Sequence, residues 1–88
     1  MENLEEHLVH ITQADDRRQL GLWLHDAETT IGVGRRAIRE LRTQEPIDET
    51  AIEEWKADIE WSRLARNALR RRLEVVPPSH KYQSVWLR

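Results

Sequence analysis

Leu20, Leu24, Ala27, Ile31, Gly34, Ile38 and Leu41 recur at alternating spacings of four and three. That rhythm puts them on one stripe of an α-helix and is incompatible with a strand, whose side chains alternate with period two. A second register runs through Ile52, Trp55, Ile59, Ser62, Arg66, Leu69 and Leu73, with Ala51, Ala65 and Ala68 beside it. Between the two lies TQEPIDET, where Pro46 biases Glu45 away from helix and Asp48 is placed to cap the second helix.

The expected fold is therefore all-α: a long antiparallel helical hairpin, coiled-coil-like, within a single helical domain spanning residues 1–88. Helix one is expected over about 12–43, a turn over 44–47, helix two over about 48–74 and an extended C-terminal tail over 75–88. Thr12, with Asp15 three positions on, is the expected cap of helix one. Leu4, Leu8 and Ile11 precede it as either a short helix of their own or an extension of the first. Gly21, Gly32 and Gly34 each cost about 1 kcal/mol against alanine inside a helix, which leaves a kink or break near 30–34 open. Gly34 lies on the seam, where a missing side chain lets a neighbouring backbone come close.

With the turn centred near Pro46, residues whose numbers sum to about 92 face each other across an antiparallel pair. Gly34 then meets Ile59, Ile38 the region of Trp55, Ile31 meets Ser62, Leu24 meets Leu69 and Leu20 meets Leu73, so large residues oppose small ones at mid-hairpin. Charge agrees. Residues 1–30, 31–44, 45–61 and 62–88 carry −5, +3, −6 and +6, giving the formal net −2. Antiparallel pairing brings opposite blocks together and parallel pairing brings like ones together. The same gradients put acids at helix starts and bases at helix ends, as the helix dipole favours.

One seam leaves bulky residues over. Trp23, Val33 and Ala37 lie off the first line, and Trp61, Leu64 and Ala68 form another stripe on the second. Apolar surface on two sides of a hairpin calls for a third helix, a second hairpin or the tail. Completion of a four-helix bundle by dimerisation is the simplest of these, since 88 residues enclose little core.

Composition narrows the function classes. The chain is 39% hydrophobic and 34% charged, too apolar for wholesale disorder. It has no cysteine, which excludes disulfides, thiolate nucleophiles and sulfur-ligated metals. Its start, MENLEEHLVH, is acidic where a signal peptide is basic, and no run is apolar enough to span a membrane, so a cytoplasmic location and no membrane partner are expected. His7, His10, His25 and His80 supply no three- or four-ligand metal set, the serines form no triad motif, and GVG at 32–34 lacks the lysine and hydroxyl of a phosphate loop. No catalytic residue, metal or cofactor is expected, and the chain is expected not to be an enzyme.

The segment IGVGRRAIREL, residues 31–41, resembles the turn and recognition helix of helix-turn-helix DNA-binding proteins: Gly32 in the turn, Val33 after it, Gly34 at the cap, then Arg35, Arg36 and a buried Ile38. The resemblance covers 11 of 88 residues and implies Arg35, Arg36 and Arg39 against DNA. A small DNA-binding regulator is the alternative function.

The first expectation is a non-catalytic protein–protein interaction module acting stoichiometrically as a small adaptor, assembly factor or inhibitor. Its general makeup is similar to that of compact accessory proteins of phages and mobile elements. Trp23, Trp61 and Leu64 would supply apolar contact, and Arg70, Arg71 and Arg72 would select a partner with an acidic surface. Tyr82, Trp86 and Leu87 would dock, either back on the hairpin or on a partner. A homodimer is the expected oligomeric state.

Overall fold

The structure is a computed structural model that describes residues 3–77. Within them the chain is all-helical: α1 (Leu4–Gln13), α2 (Arg17–Leu41) and α3 (Glu49–Val75). The expected C-terminal tail lies almost wholly outside the described residues.

The first helical stretch differs from expectation. Helix one does not begin near Thr12; a separate α1 ends at Gln13 and α2 begins at Arg17. The cap is Asp16, whose carboxylate accepts from the backbone N–H groups of Arg18 (2.9 Å) and Gln19 (3.4 Å). A carboxylate satisfies otherwise orphaned N–H groups and complements the positive helix end, which Thr12 would do only in part. Thr12 stays in α1 and donates its hydroxyl to the Val9 carbonyl. Asn3 caps α1 in turn: its side-chain oxygen accepts from Glu6 N–H (2.8 Å) while its amide donates to the Glu6 carboxylate (3.1 Å).

The other boundaries move by a residue or two. Asp48 caps α3, accepting from the Ala51 N–H at 3.0 Å, and the connection runs from Arg42 to Asp48. α2 is continuous across Gly32 and Gly34, and no described residue has a positive φ.

α2 and α3 pack along their facing stripes. Leu20, Ala27, Ile31, Gly34 and Ile38 are buried on α2, and Ile52, Ser62, Ala65 and Leu69 on α3. The close approach at Gly34 is real. A Cβ there would lie 2.8 Å from Ile59 Cγ1 and 3.1 Å from Trp55 Cε3, so only glycine lets the helices come this near without displacement. Arg66, on the same stripe, is half-buried, which fits an aliphatic stem laid along apolar surface.

α1 then folds back over one side of the hairpin, chiefly against α3. Its Ile11 is fully buried in a cluster with Leu20, Ala65, Leu69 and Val76. Burial of an isoleucine contributes about 1.5–3 kcal/mol relative to exposure. Two arginines fasten this end. Arg17, at the start of α2, donates from one guanidinium nitrogen to the carbonyls of Leu73 (2.8 Å) and Val76 (2.6 Å) at the end of α3. Arg72 of α3 returns an N–H from Nε to the Ala14 carbonyl, 2.8 Å away, where α1 ends. Each guanidinium satisfies carbonyls that a terminating helix leaves open. No helix among the described residues is long and apolar enough to cross a membrane.

Candidate protein-binding cleft

The second stripes come together where α1 crosses the hairpin. His7 and Leu8 each stand about one turn from Ile11, and the three share α1's inward face. The His7 ring enters between two tryptophans from different helices, stacked on Trp61 of α3 (centroids 5.0 Å apart, planes at 14°) and edge-on to Trp23 of α2 (5.1 Å, 77°). These are the geometries that the quadrupoles of aromatic rings favour, and His7 is left 6% exposed.

Beyond this sandwich, toward the turn, lies the N-terminal start of α1, and the hairpin groove is open. A cleft of about 420 Å³ lies there, walled by His7, Trp23, Ala27, Trp61 and Ser62, with Asp26 and Thr30 from α2 and Asp58 from α3. Trp23, Asp26 and Thr30 stand one helical turn apart on α2, as do Asp58 and Trp61 on α3, so each helix lends the cleft one face. Asp26 and Asp58 are exposed. A mostly aromatic and apolar wall with two carboxylates suits a ligand that is itself apolar and carries positive charge. On α3 the wall continues as a strip in helical register: half-buried Trp61, Leu64 at 42% exposure, half-buried Ala68 and Val75 at 68%.

The expected contact residues meet different fates. Trp23 and Trp61 join at His7, and Leu64, three residues on from Trp61 in α3, is exposed outside the cleft wall. Arg71 is exposed. Arg70 pairs with Glu28 across the two long helices at 3.4 Å, with both side chains about half exposed, and Arg72 is engaged with Ala14. Tyr82, Trp86 and Leu87 lie outside the described residues. Arg35, Arg36 and Arg39 are exposed on α2, but the turn implied by the helix-turn-helix resemblance is not formed. Residues 31–41 are helical throughout, and Gly34 serves the packing of Ile59 instead of a turn.

His7, Asp26 and Asp58 were not among the expected contacts. His7 had a signal, because it falls between Leu4, Leu8 and Ile11 on one helical face. The two aspartates had none, since each reads as an ordinary solvated acid until α1 is set in place. Among the described residues no group of three histidine, aspartate or glutamate side chains is placed to hold a metal ion. No protein-family model, curated protein or solved structure matches the chain.

Proposed function

We propose that the protein is a non-catalytic interaction module that acts stoichiometrically, as a small adaptor, assembly factor or inhibitor, by seating a segment of a partner in the cleft at Trp23 and Trp61. The observation that carries this reading is the pairing of an open, tryptophan-walled cleft with a strip on α3 of exposed Leu64 and Val75 and half-buried Ala68. Tryptophans in desolvated pockets dominate binding energy at protein interfaces, and large apolar side chains left in water favour association. Asp26 and Asp58 select a partner segment with positive charge, while exposed Arg71 offers an acid a place beside the strip.

α1 bears on the dimer as well. It takes the part of the hairpin that a second copy was expected to cover, so one binding face on one chain is the simpler arrangement. A homodimer through the remaining strip is the competing occupant, and light scattering at tens of micromolar distinguishes the two.

The test uses Leu64, which is exposed enough to change at little cost to folding. A partner captured from native host extract, purified and shown to bind one-to-one, should bind the Leu64→Glu chain about tenfold or more weakly at unchanged helicity. Equal affinity for the two chains would remove the cleft and its strip from the interface.

A further inference from the structure

We infer that the cleft is a seat for an arginine side chain of a partner protein, its guanidinium laid against the tryptophan rings and paired with Asp26 and Asp58. The inference rests on reading the cleft as an interaction surface and names the group that anchors there.

Three observations converge. The first is unused charge. Glu28, Glu53 and Glu60, on the same two helices, pair with Arg70, Lys56 and Arg63, whereas among the described residues Asp26 and Asp58 have no ion pair and accept no hydrogen bond. One stands on the α2 wall of the cleft and the other on the α3 wall, and no lysine or arginine lines it. The second is an unmet hydroxyl. Ser62 lines the cleft and is 4% exposed, yet its hydroxyl makes no hydrogen bond among the described residues. A buried polar group left in that state is costly, and a donor on a ligand relieves the cost. The third is aromatic surface. Trp23 and Trp61 are half-buried and line the cleft, and Trp61 already has one planar nitrogen-bearing group, the His7 ring, stacked on it.

These features together select a guanidinium. It is planar, stacks on aromatic faces and presents a fork of N–H donors, while the carboxylates of Asp26 and Asp58 and the hydroxyl of Ser62 are all able to accept. An ammonium is more strongly hydrated and has no flat face to lay on a ring. An anionic ligand would meet both aspartates as like charges. At about 420 Å³ the cleft is of the size that encloses a small ligand or a side chain with its neighbours.

The probe is Nα-acetyl-arginine methylamide, titrated into the full chain beside its citrulline and lysine counterparts. Citrulline keeps the shape of arginine and loses the charge. Proton–nitrogen correlation spectra follow the indole N–H signals, with Trp55, packed against Gly34 and outside the cleft wall, as the internal reference. The arginine probe should shift the Trp23 and Trp61 signals saturably with a Kd of about millimolar, and the citrulline and lysine probes should bind about tenfold more weakly. Asp26→Asn/Asp58→Asn, a change at two exposed positions, should weaken the arginine probe about tenfold at unchanged far-UV circular dichroism. The citrulline comparison is made on the unaltered chain and decides the matter whatever the variant's fold. Equal binding of citrulline, or undiminished binding by a folded double variant, would overturn the pairing with the aspartates. Equal binding of lysine would make the cleft a site for any cation and overturn the guanidinium. Shifts that do not saturate, or that Trp55 shares, would reduce the contact to one that any tryptophan makes and overturn the seat. Dimerisation of the unaltered chain at tens of micromolar, lost in the folded double variant, would assign the arginine to a second copy and overturn its coming from a different protein. No partner enters these titrations, so failure here and failure of the proposed function are separable.

Discussion

The two ends of the hairpin are built differently. Near the turn, α2 and α3 meet alone, and their contact depends on fit: Gly34 under Ile59 and Trp55, with Ile38 and Ile52 buried beyond. At the open end three helices converge. Ile11, Leu20 and Leu69 are the largest fully buried side chains, and Arg17 and Arg72 lock the termini of one helix onto another. A two-helix seam has water on both sides and encloses little. A third helix converts the same seam into a core. The cleft sits at the border between these regimes, where α1 begins and the groove it covers continues toward the turn.

The largest effect is expected where the three-helix core is deepest. Leu69→Ala removes a fully buried side chain from the cluster of Ile11, Leu20 and Ala65 and should cost about 2–5 kcal/mol, read by urea denaturation. Ile52→Ala, in the two-helix region, should cost less, because its 7% exposed side chain has less around it and the site can collapse onto the gap. Equal losses would erase the distinction between the two ends.

The fastening at the open end should come next. Arg17→Met keeps most of the aliphatic stem and deletes both bonds to the Leu73 and Val76 carbonyls, one of them partly buried. The expected loss is about 1–3 kcal/mol. Hydrogen exchange should quicken in the last turn of α3 and leave the turn end unchanged. Faster exchange across the whole hairpin would mean that the two ends unfold as one unit.

That asymmetry also explains what could be read from the sequence. The turn end was legible in detail, because a heptad seam and a proline turn fix which residues oppose each other, and Gly34 does meet Ile59. The open end was not. Leu4, Leu8 and Ile11 allowed either a short helix or an extension, and the decision rests on one carboxylate, Asp16, capping α2. The arginines misled for a related reason. A basic run at a helix end fits a docking patch, a dipole preference or a clamp on neighbouring carbonyls, and only the fold shows that Arg72 reaches Ala14. The cleft inherited this ambiguity: its tryptophans stood out as surplus to the seam, while its aspartates became part of a site only through the placement of α1.

The smallest effect compares two glycines in one helix. Replacing Gly32 by alanine puts a methyl group where nothing lies within 4 Å, so relief of glycine's helix cost should stabilise the chain by about 0.5–1 kcal/mol. The same change at Gly34 brings the same propensity gain, but the new Cβ meets Ile59 Cγ1 at 2.8 Å and Cδ1 at 3.0 Å. The Cδ1 atom can swing aside. Cγ1 is held closer to the α3 backbone, so the helices must separate or Ile59 must leave its rotamer, at an overpacking cost of about 1–3 kcal/mol. Gly34→Ala should therefore be net destabilising while Gly32→Ala is stabilising, a difference of sign that thermal melts of the two variants resolve without any absolute scale. Stabilisation by both would mean that the seam at the turn end is loose enough to absorb a methyl group, and that its close fit does not set the spacing of the two long helices.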